Sequence, residues 1–212
     1  SWFIQGIKKM EMQVDVLIIG AGISGIGVAV HLSKNCPQRN FEILERRESF
    51  GGTWDLFRYP GIRSDSDMST FGFNFKPWAK DKVLASGAEI KGYLSDVISE
   101  NQLKDKIHFG HRVISANYDS TKKKWLVEIE DNNKKKQNWS ANFVIGCTGY
   151  YNYDQGYAPK FPKQEDFKGQ FIHPQHWPEN LDYTGKKVVI IGSGATAITL
   201  VPSMVKGGAG HV

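Results

Sequence analysis

Two glycine-rich segments of the same design, at residues 20–25 and 192–197, are the part of this sequence best suited to chemistry. Each follows a continuous apolar run and places small residues at the spacing G-x-G-x-x-G or G-x-G-x-x-A. In the first segment, Gly20 permits a tight turn, Gly22 lets the backbone approach a pyrophosphate, and Gly25 allows a helix to pack closely. The N-terminus of that helix then stabilises the phosphate charge. The pattern predicts dinucleotide binding at both segments.

A carboxylate after the first segment strengthens the prediction there. Phe41–Glu45 is predicted as a second strand, and Glu45 at its end can accept hydrogen bonds from the hydroxyls of an adenosine ribose. The second segment has no such partner strand after it. A glycine-rich turn without a ligand is therefore a stronger alternative at residues 192–197 than at residues 20–25.

Two dinucleotide sites in one chain point to a flavoprotein that exchanges a hydride with a nicotinamide. Disulfide reductases share this plan, but they need a C-x-x-x-x-C pair beside the flavin. The two cysteines, Cys36 and Cys147, lack that spacing, and the chain continues Thr-Trp-Asp after Gly51-Gly52. Disulfide reduction is therefore disfavoured, and oxygen activation becomes the leading chemistry.

Two further stretches resemble the signatures of one family. Residues 51–65 (GGTWDLFRYPGIRSD) fill every fixed position of [AG]-G-x-W-x-x-x-x-[FY]-P-G-x-x-x-D, and residues 167–178 (FKGQFIHPQHWP) resemble F-x-G-x-x-x-H-x-x-x-W-P. Both patterns are typical of Baeyer–Villiger monooxygenases among the flavin-containing monooxygenases. Within that family, residues 63–65, 149–154 and 173–178 most resemble the flavin-binding long-chain alkane monooxygenases and the ethionamide-activating enzymes, with the alkane branch the nearer.

This resemblance implies a reaction. NADPH would reduce FAD, the reduced flavin would capture O₂ as a C4a-peroxyflavin, and bound NADP⁺ would protect it while one oxygen atom passes to a small apolar substrate, a long-chain alkane or a ketone. An N- or S-oxygenating flavin monooxygenase is the alternative enzyme, although the Trp177-Pro178 ending favours the Baeyer–Villiger side. A nucleotide-binding module without turnover is the alternative from a different class.

The resemblance also implies cofactor contacts. For FAD, it assigns the pyrophosphate to the first glycine segment and the ribose to Glu45. It assigns the flavin ring of FAD to residues 53–55 and the adenine to the backbone of Val113. For NADP, it assigns the pyrophosphate to residues 192–197. The implied cofactor-binding residues are Gly20, Gly22, Ser24, Gly25, Glu45, Gly52, Thr53, Trp54, Asp55, Arg63, Ser64, Asp65, Val113, Thr148, Gly149, Gly192, Ser193, Gly194, Ala195, Thr196 and Ala197.

Asp65 and Arg63 are the implied catalytic residues. Asp65 would sit where the flavin and the nicotinamide meet, with Arg63 and Ser64 beside it, and would pair with an active-site arginine that stabilises the peroxyflavin anion. That arginine, and the basic residue that recognises the NADP 2′-phosphate, are expected beyond Val212, since no Arg or Lys follows Lys206. The chain as given is therefore expected to bind nucleotides without completing turnover.

Other chemically suggestive residues have simpler interpretations. His173 falls in the family's linker, where its implied role is conformational, and Pro174 disfavours a helical metal-binding face with His176, so no metal site is predicted. Cys147 takes the Ala position of an A-T-G segment, which favours a small buried residue over a reactive thiol. The aromatic residues at 71–78 are predicted as core packing in preference to a substrate channel.

The elements that must position these residues follow from the hydrophobic pattern. The fold class predicted is α/β, a Rossmann-like flavoprotein with two dinucleotide-binding domains and a small antiparallel β-meander, truncated in the second domain. Buried parallel strands are predicted at 14–19 and 187–191, helices at 26–33 and 90–100, and meander strands at 106–118, 124–130 and 139–147. The expected domains are an N-terminal extension at 1–12, an FAD-binding domain at 13–149, a linker at 150–186 and the start of an NADP-binding domain at 187–212.

Composition excludes other classes. The 27 basic and 22 acidic residues give a net charge of +5, but the lysine triplets at 122–124 and 134–136 account for the excess. They flank a strand pattern as solvated hairpin ends, which disfavours nucleic-acid binding. No apolar run approaches a membrane span, residues 1–9 lack a signal-peptide pattern, and the few cysteines fit a cytoplasmic protein. An apolar substrate leaves weak membrane-surface association open, although no amphipathic anchor is evident.

Overall fold

The computed structural model describes residues 12–212, so the predicted N-terminal extension lies outside the described residues except for its last position. The chain divides into two compact units. The first contains the residues up to Gly52 together with Leu94–Gly149, and the second contains Thr53–Tyr93 together with Tyr150–Val212. This division differs from the domain boundaries expected from the sequence, which placed residues 53–93 with the FAD-binding domain.

The first unit contains one six-stranded mixed sheet, with strand order β3-β2-β1-β6-β5-β4. The strands are β1 (Met12–Ile19), β2 (Phe41–Leu44), β3 (Ile107–His108), β4 (His111–Asp119), β5 (Lys124–Asp131) and β6 (Lys136–Gly146). The helices of the chain are α1 (Ile23–Asn35), α2 (Thr53–Leu56), α3 (Met68–Phe71), α4 (Gly87–Glu100) and α5 (Ala195–Lys206).

The β1-α1-β2 unit forms as the sequence predicts. β1 pairs in parallel with both β2 and β6, so it lies in the interior of the sheet. Leu17 and Ile18, on opposite faces of β1, are both fully buried. Leu17 belongs to a core cluster with Val127 and Trp139 of the antiparallel strands. Because both faces of β1 are covered, its sequence is a continuous apolar run without alternation.

The predicted meander is present, with two corrections. The strand expected at 106–118 is two strands, because Gly110, at φ 67°, interrupts it. The short β3 pairs in parallel with β2, and only β4 joins the antiparallel part. The last strand begins at Lys136 rather than Trp139, and it pairs with β5 on one side and with β1 on the other. The meander is therefore continuous with the Rossmann-like sheet, and the predicted fold class is confirmed.

The two lysine triplets lie at hairpin ends, as predicted. Lys122 pairs with Asp119 in the turn between β4 and β5, and Lys136 contacts Glu128 across the next hairpin at 2.8 Å. Glu128 and Glu130 of β5, the strand between the triplets, pair with Lys136 and Lys134, so the positive charge is locally compensated.

The second unit has little regular structure besides α2, α3, α5 and the beginning of α4. Residues 150–194 contain only two 3₁₀ turns, Gln164–Asp166 and Pro174–His176. The helix expected after the second glycine segment is present as α5. Within residues 12–212, no helix is long and apolar enough to cross a membrane.

The buried parallel strand predicted at 187–191 is wrong. The β-bridges in this region are isolated ones, at Thr184 and Lys187, and only one side of the run, with Val188 and Ile190, packs against the cluster of Leu200 and Met204. Val189 is 86% exposed and Ile191 is 67% exposed. A parallel strand needs neighbouring strands to satisfy its backbone, and among the described residues this run has none along its length.

Candidate functional site

The first glycine turn is shaped by close backbone contacts. Gly20 has φ 108°, and a Cβ there would lie 2.5 Å from the carbonyl oxygen of Cys147. A Cβ on Gly25 would overlap the carbonyl oxygen of Gly20. Packing within the chain therefore requires glycine at both positions, which brings α1 close to the end of β1.

Gly22 is a glycine for a different reason. Its φ of −79° suits any residue. A Cβ there would meet the Cα of Gly52 at 3.6 Å, an ordinary contact. Nothing in the packing of the described chain demands glycine at this position. A ligand that approaches the backbone closely would demand it.

The helices that follow the two glycine segments lack side-chain caps, in contrast to other helices of the chain. α1 begins after Gly22 and α5 after Gly194, and neither has a capping side chain or an acidic residue in its first turn. By contrast, the carboxylate of Asp67 accepts a hydrogen bond from Thr70 in α3. The first N–H groups of α1 and α5 therefore have no capping side chain among the described residues, which suits an anionic ligand.

The start of α4 is capped by side chains of the chain itself, in a capping box formed by Ser86 and Glu89. The hydroxyl and the N–H of Ser86 both donate to Glu89 Oε2, at 2.9 and 3.0 Å. The backbone hydrogen bond from Ser86, together with side-chain hydrogen bonds from Lys82 and Ser86, lowers the pKa of Glu89 to about 2. The carboxylate is therefore ionised and in place at neutral pH, and α4 leaves no anion site.

Glu45 ties the first glycine turn to the end of β2. Its buried carboxylate accepts hydrogen bonds from the N–H of Ala21 and from the N–H of Arg47, each at 2.9 Å. Each oxygen retains a lone pair for a ribose hydroxyl. The N–H of His111 donates to the carbonyl of Glu45, which brings the start of β4, two residues before Val113, to the same end of the sheet.

The Cys147-Thr148-Gly149 segment leaves the sheet beside Gly20. The N–H of Cys147 donates to the carbonyl of Ile19 at 2.8 Å, and Gly149 turns the chain at φ 69°. Burial raises the pKa of the Cys147 thiol, so the thiol stays protonated at neutral pH. Cys147 is half-buried, whereas the sequence predicted a buried residue.

In the second unit, the residues after Gly52 are engaged in the fold. Trp54 packs edge-on against Phe71, with ring centroids 5.7 Å apart, beside a core cluster that includes Met68. The Asp55 side chain is 3% exposed and forms an ion pair with Lys91 of α4. Lys91 could not be predicted as the partner of Asp55, because 36 residues separate the two and no motif links them.

We expect Lys91→Met to lower the free energy of unfolding by about 2 kcal/mol. Loss of one partner of a fully buried pair costs about 3–5 kcal/mol, but the Lys91 side chain is 32% exposed and Arg58 lies 3.7 Å from Asp55. Urea unfolding followed by circular dichroism measures the change. Lys82→Met is the matched control, because its pair with Glu89 is exposed and should contribute much less to stability. Equal losses in the two variants would contradict this role for Lys91.

The segment predicted to be catalytic alternates in exposure. Arg63 and Asp65 are exposed, whereas Ser64 is 1% exposed. The N–H of Ser64 donates to the carbonyl of Ala85 at 2.8 Å, and the Ser64 hydroxyl accepts from the N–H of Ala85 at 3.1 Å. The hydroxyl of Ser64 therefore holds the backbone in place. Because alternate side chains of an extended segment share a side, Arg63 and Asp65 both face outward.

Tyr151 is a neighbour of Asp65 that the sequence did not predict. A hydrogen bond with Tyr150 and partial burial, together with the nearby charges of Tyr59 and Asp65, raise the pKa of Tyr151 to about 12. Its phenol stays protonated at neutral pH. It lies within electrostatic range of Asp65.

Fixed positions of both family signatures pack together in the second unit. Tyr59 is 5% exposed and contacts Leu200 and Met204 of α5 in one core cluster. Trp177 of the second signature packs against the same cluster. These two aromatic residues therefore serve packing.

His173 is held in one tautomer by its turn. Its Nδ1 accepts a hydrogen bond from the N–H of Gln175 at 3.2 Å, so its Nε2 carries the proton and donates to the carbonyl of Tyr157 at 3.2 Å. Both ring nitrogens are thus occupied by backbone groups. Among residues 12–212, no group of three or more His, Cys, Asp or Glu side chains is arranged to hold a metal ion.

The second glycine segment is open. Gly192 has φ 149°, and a Cβ on Gly194 would meet nothing within 4 Å. Ser193 and Ala195 are exposed, while Thr196 and Ala197 are half-buried on α5. As at Gly22, the packing of the described chain does not require glycine at position 194.

The aromatic residues at 71–78 pack with one another, as expected. Phe73 stacks on Phe75 with centroids 4.7 Å apart, and Trp78 contacts Tyr93. The Tyr93 hydroxyl accepts from the N–H of Phe73 and donates to the carbonyl of Lys76.

Comparisons with known proteins give one consistent result. Residues 17–210 match the model of the family described as pyridine nucleotide-disulphide oxidoreductase. The chain is 97% identical over 203 residues to "Probable FAD-binding monooxygenase AlmA" of Acinetobacter sp, covering 96% of this chain and 41% of that protein. It is 55% identical over 203 residues to "FAD-containing monooxygenase EthA" of Mycolicibacterium smegmatis, with the same coverage of each. The chain thus spans about two fifths of the length of these curated relatives.

Solved structures of monooxygenases share the fold. A steroid monooxygenase bound to NADP superposes with a TM-score of 0.79 at 28% identity, covering 93% of this chain and 37% of that one. A cyclohexanone monooxygenase from Rhodococcus sp. Phi1 bound to NADP⁺ superposes with a TM-score of 0.77 at 28% identity, covering 93% and 37%.

Proposed function

Because the chain belongs to the pyridine nucleotide-disulphide oxidoreductase family, we propose that it is the FAD-binding part, with the beginning of the NADPH-binding part, of a flavin-dependent monooxygenase. The resemblance to flavin-containing and Baeyer–Villiger monooxygenases, inferred from residues 51–65 and 167–178, is confirmed. The family description also covers disulfide reductases. The sequence has only Cys36 and Cys147, which are too far apart in sequence for the C-x-x-x-x-C pair that such enzymes use.

The observation that carries the proposal is the pair of uncapped helices after glycine turns. α1 and α5 begin with N–H groups that have no side-chain cap, and the described packing gives no reason for Gly22 and Gly194 to be glycine. A pyrophosphate at each turn accounts for both features at once. Glu45, buried beside the first turn, supports an adenosine ribose there.

FAD, when bound, supplies the redox chemistry by taking a hydride from NADPH and passing electrons to O₂. The chain's own residues bind and orient. Gly20, Gly22, Ser24 and Gly25 hold the FAD pyrophosphate, Glu45 its ribose, Val113 its adenine, and Thr148-Gly149 and residues 52–55 its flavin end. Residues 192–197 hold the NADP pyrophosphate. Asp65, flanked by Arg63 and Ser64, supplies the carboxylate at the reacting end.

The substrate we propose is small and apolar, a long-chain alkane or a ketone, with O₂ as the second substrate. The resemblance of residues 63–65, 149–154 and 173–178 to the alkane-oxidising and ethionamide-activating branches supports this choice. No nucleic-acid partner is proposed, since the lysine triplets are compensated hairpin ends. A cytoplasmic location remains the prediction from the sequence.

The test is isotope incorporation by the whole protein that carries this chain, supplied with FAD, NADPH and ¹⁸O₂. We expect one ¹⁸O atom in an ester formed from a ketone, or in an alcohol formed from an alkane, and the other ¹⁸O atom in water. NADPH oxidation that yields only hydrogen peroxide with every ketone and alkane offered would overturn the proposed monooxygenase activity.

A further inference from the structure

Gly61 lies directly against α5, with no room for a side chain. Its φ is 87°, and a Cβ there would overlap the hydroxyl of Ser203 and lie 2.5 Å from the carbonyl oxygen of Thr199. The Ser203 hydroxyl donates a hydrogen bond to that same carbonyl at 2.8 Å. The backbone of Gly61 is therefore held against one turn of α5, and the Ser203 side chain closes that turn.

The residues around Gly61 extend this contact. Tyr59 is buried against Leu200 and Met204, and Ile62 packs against the same cluster. The carbonyl of Ile62 also accepts a hydrogen bond from the N–H of Gly87 at 3.0 Å. The segment is thus docked on α5 immediately before the residues predicted to be catalytic.

The backbone on either side of Asp65 is anchored by the bridge between Arg63 and Ser86 and by the hydrogen bond from the N–H of Met68 to the carbonyl of Val83, and Gly61 adds a further anchor. The Asp65 side chain is exposed, and its position depends on Ser64, which is bonded to Ala85 on one side, and on Gly61, which lies against α5 on the other. A shift of the turn at Ser203 would therefore move the backbone four residues before Asp65. Because catalytic geometry tolerates little error, a displacement of about 1 Å can cost about 100-fold in rate.

α5 also carries the second glycine segment at its start. Ser203 lies roughly 13 Å along the helix axis from Gly194, at 1.5 Å rise per residue. Pro202 cannot donate to the carbonyl of Ile198, so the backbone hydrogen bonding of the helix is weakest at this level. The side chains of Thr199 and Ser203 donate hydrogen bonds to preceding carbonyls in the turn that contacts Gly61, an arrangement that often bends a helix.

We propose that Ser203 is a positioning residue for Asp65, because its small side chain lets Gly61 lie directly against the helix that starts at the proposed nicotinamide-dinucleotide turn. The proposal rests on the proposed monooxygenase function. It assigns Ser203 no contact with substrate or cofactor. Its effect on the reaction passes through the backbone from Gly61 to Asp65.

The test variant is Ser203→Val in the whole protein, which places a methyl group where the hydroxyl now meets Gly61. In the productive reaction, NADPH, H⁺, O₂ and substrate give NADP⁺, water and oxygenated substrate. When Asp65 is displaced, NADPH, H⁺ and O₂ give NADP⁺ and hydrogen peroxide. We expect product formed per NADPH consumed to fall about tenfold, with peroxide making up the difference, while FAD content and the KM for NADPH change less than twofold.

Hydrogen–deuterium exchange supplies a readout that does not depend on turnover. We expect the N–H of Ser64 to exchange at least about tenfold faster in Ser203→Val than in the parent, because its bond to Ala85 loosens when Gly61 moves. Ser203→Ala, whose side chain fits the same space, should keep the parental yield of product per NADPH and the parental exchange rate at Ser64. Val205→Ala, at an exposed position of the same helix, is the matched control and should change neither.

The outcomes separate the two proposals. If the parent protein makes no oxygenated product, the proposed function fails, and the exchange at Ser64 still decides the role of Ser203. If the parent is active and a folded, FAD-containing Ser203→Val variant keeps parental coupling and exchange, the role of Ser203 is overturned. If Ser203→Val does not fold, Ser203→Cys, with a smaller increase in size, decides by the same two measurements.

Discussion

Replacing Gly22 by valine is expected to abolish FAD binding and to leave the chain folded. A Cβ at this position makes only an ordinary contact with Gly52, so the fold can accept it. The same side chain would fill the space that a pyrophosphate needs above the start of α1. We expect the purified variant to be colourless after incubation with FAD and gel filtration, with a far-UV circular dichroism spectrum like that of the parent.

Two other glycines make this result specific. Gly25→Ala should instead destabilise the fold, because its Cβ overlaps the carbonyl of Gly20. Overpacking of this kind costs about 1–3 kcal/mol or more, so this variant should unfold at lower urea concentration. Gly92→Val on α4, where a Cβ meets nothing within 4 Å, should keep FAD. A Gly22→Val protein that retained full flavin absorbance would refute the assignment of this turn.

Asp65→Ala in the whole protein is expected to retain FAD and lose oxygenation by about 100-fold or more. The carboxylate is exposed, so its removal leaves no cavity and should change the free energy of unfolding by no more than about 0.5 kcal/mol. The variant should therefore lose catalytic activity while its stability stays almost unchanged. Product formation per unit of bound FAD, measured beside urea unfolding, checks both halves of the prediction.

Asp67 is the matched control, two residues further along. Its side chain accepts a hydrogen bond from the N–H of Thr70 at 2.8 Å as the cap of α3, and this bond holds the pKa of Asp67 below its ordinary value. Asp67→Ala should lower the urea concentration at the midpoint of unfolding, because α3 loses its cap, and should leave activity almost unchanged. Undiminished product formation by Asp65→Ala, or equal losses of activity in the two variants, would show that Asp65 has no catalytic role.

Local patterns predicted the first unit well. The apolar run at β1, the glycine spacing and the strand that ends at Glu45 all act over short sequence distances, so the β1-α1-β2 unit follows from them. The same apolar pattern at 187–191 predicted a buried strand wrongly. A strand's burial depends on its neighbours in the sheet, and periodicity carries no information about whether those neighbours are present.

Contacts distant in sequence could not be predicted. The pairing of Asp55 with Lys91 and the contact of Gly61 with Ser203 join segments that no local pattern connects. The tyrosine and glycine of residues 51–65 were recognised from a family signature, but the signature does not say that they pack on α5. Only the tertiary structure distinguishes glycines required by packing, such as Gly25 and Gly61, from glycines such as Gly22 that leave room for a ligand.

The visible absorption spectrum of the purified full chain, mixed with FAD and separated from free flavin by gel filtration, tests most directly whether the first glycine turn is a flavin site. We predict flavin absorbance that co-elutes with the chain at one FAD per chain, and its loss in Gly22→Val. A chain that is folded by circular dichroism and elutes without flavin would contradict the assignment of residues 20–25 and Glu45 to FAD.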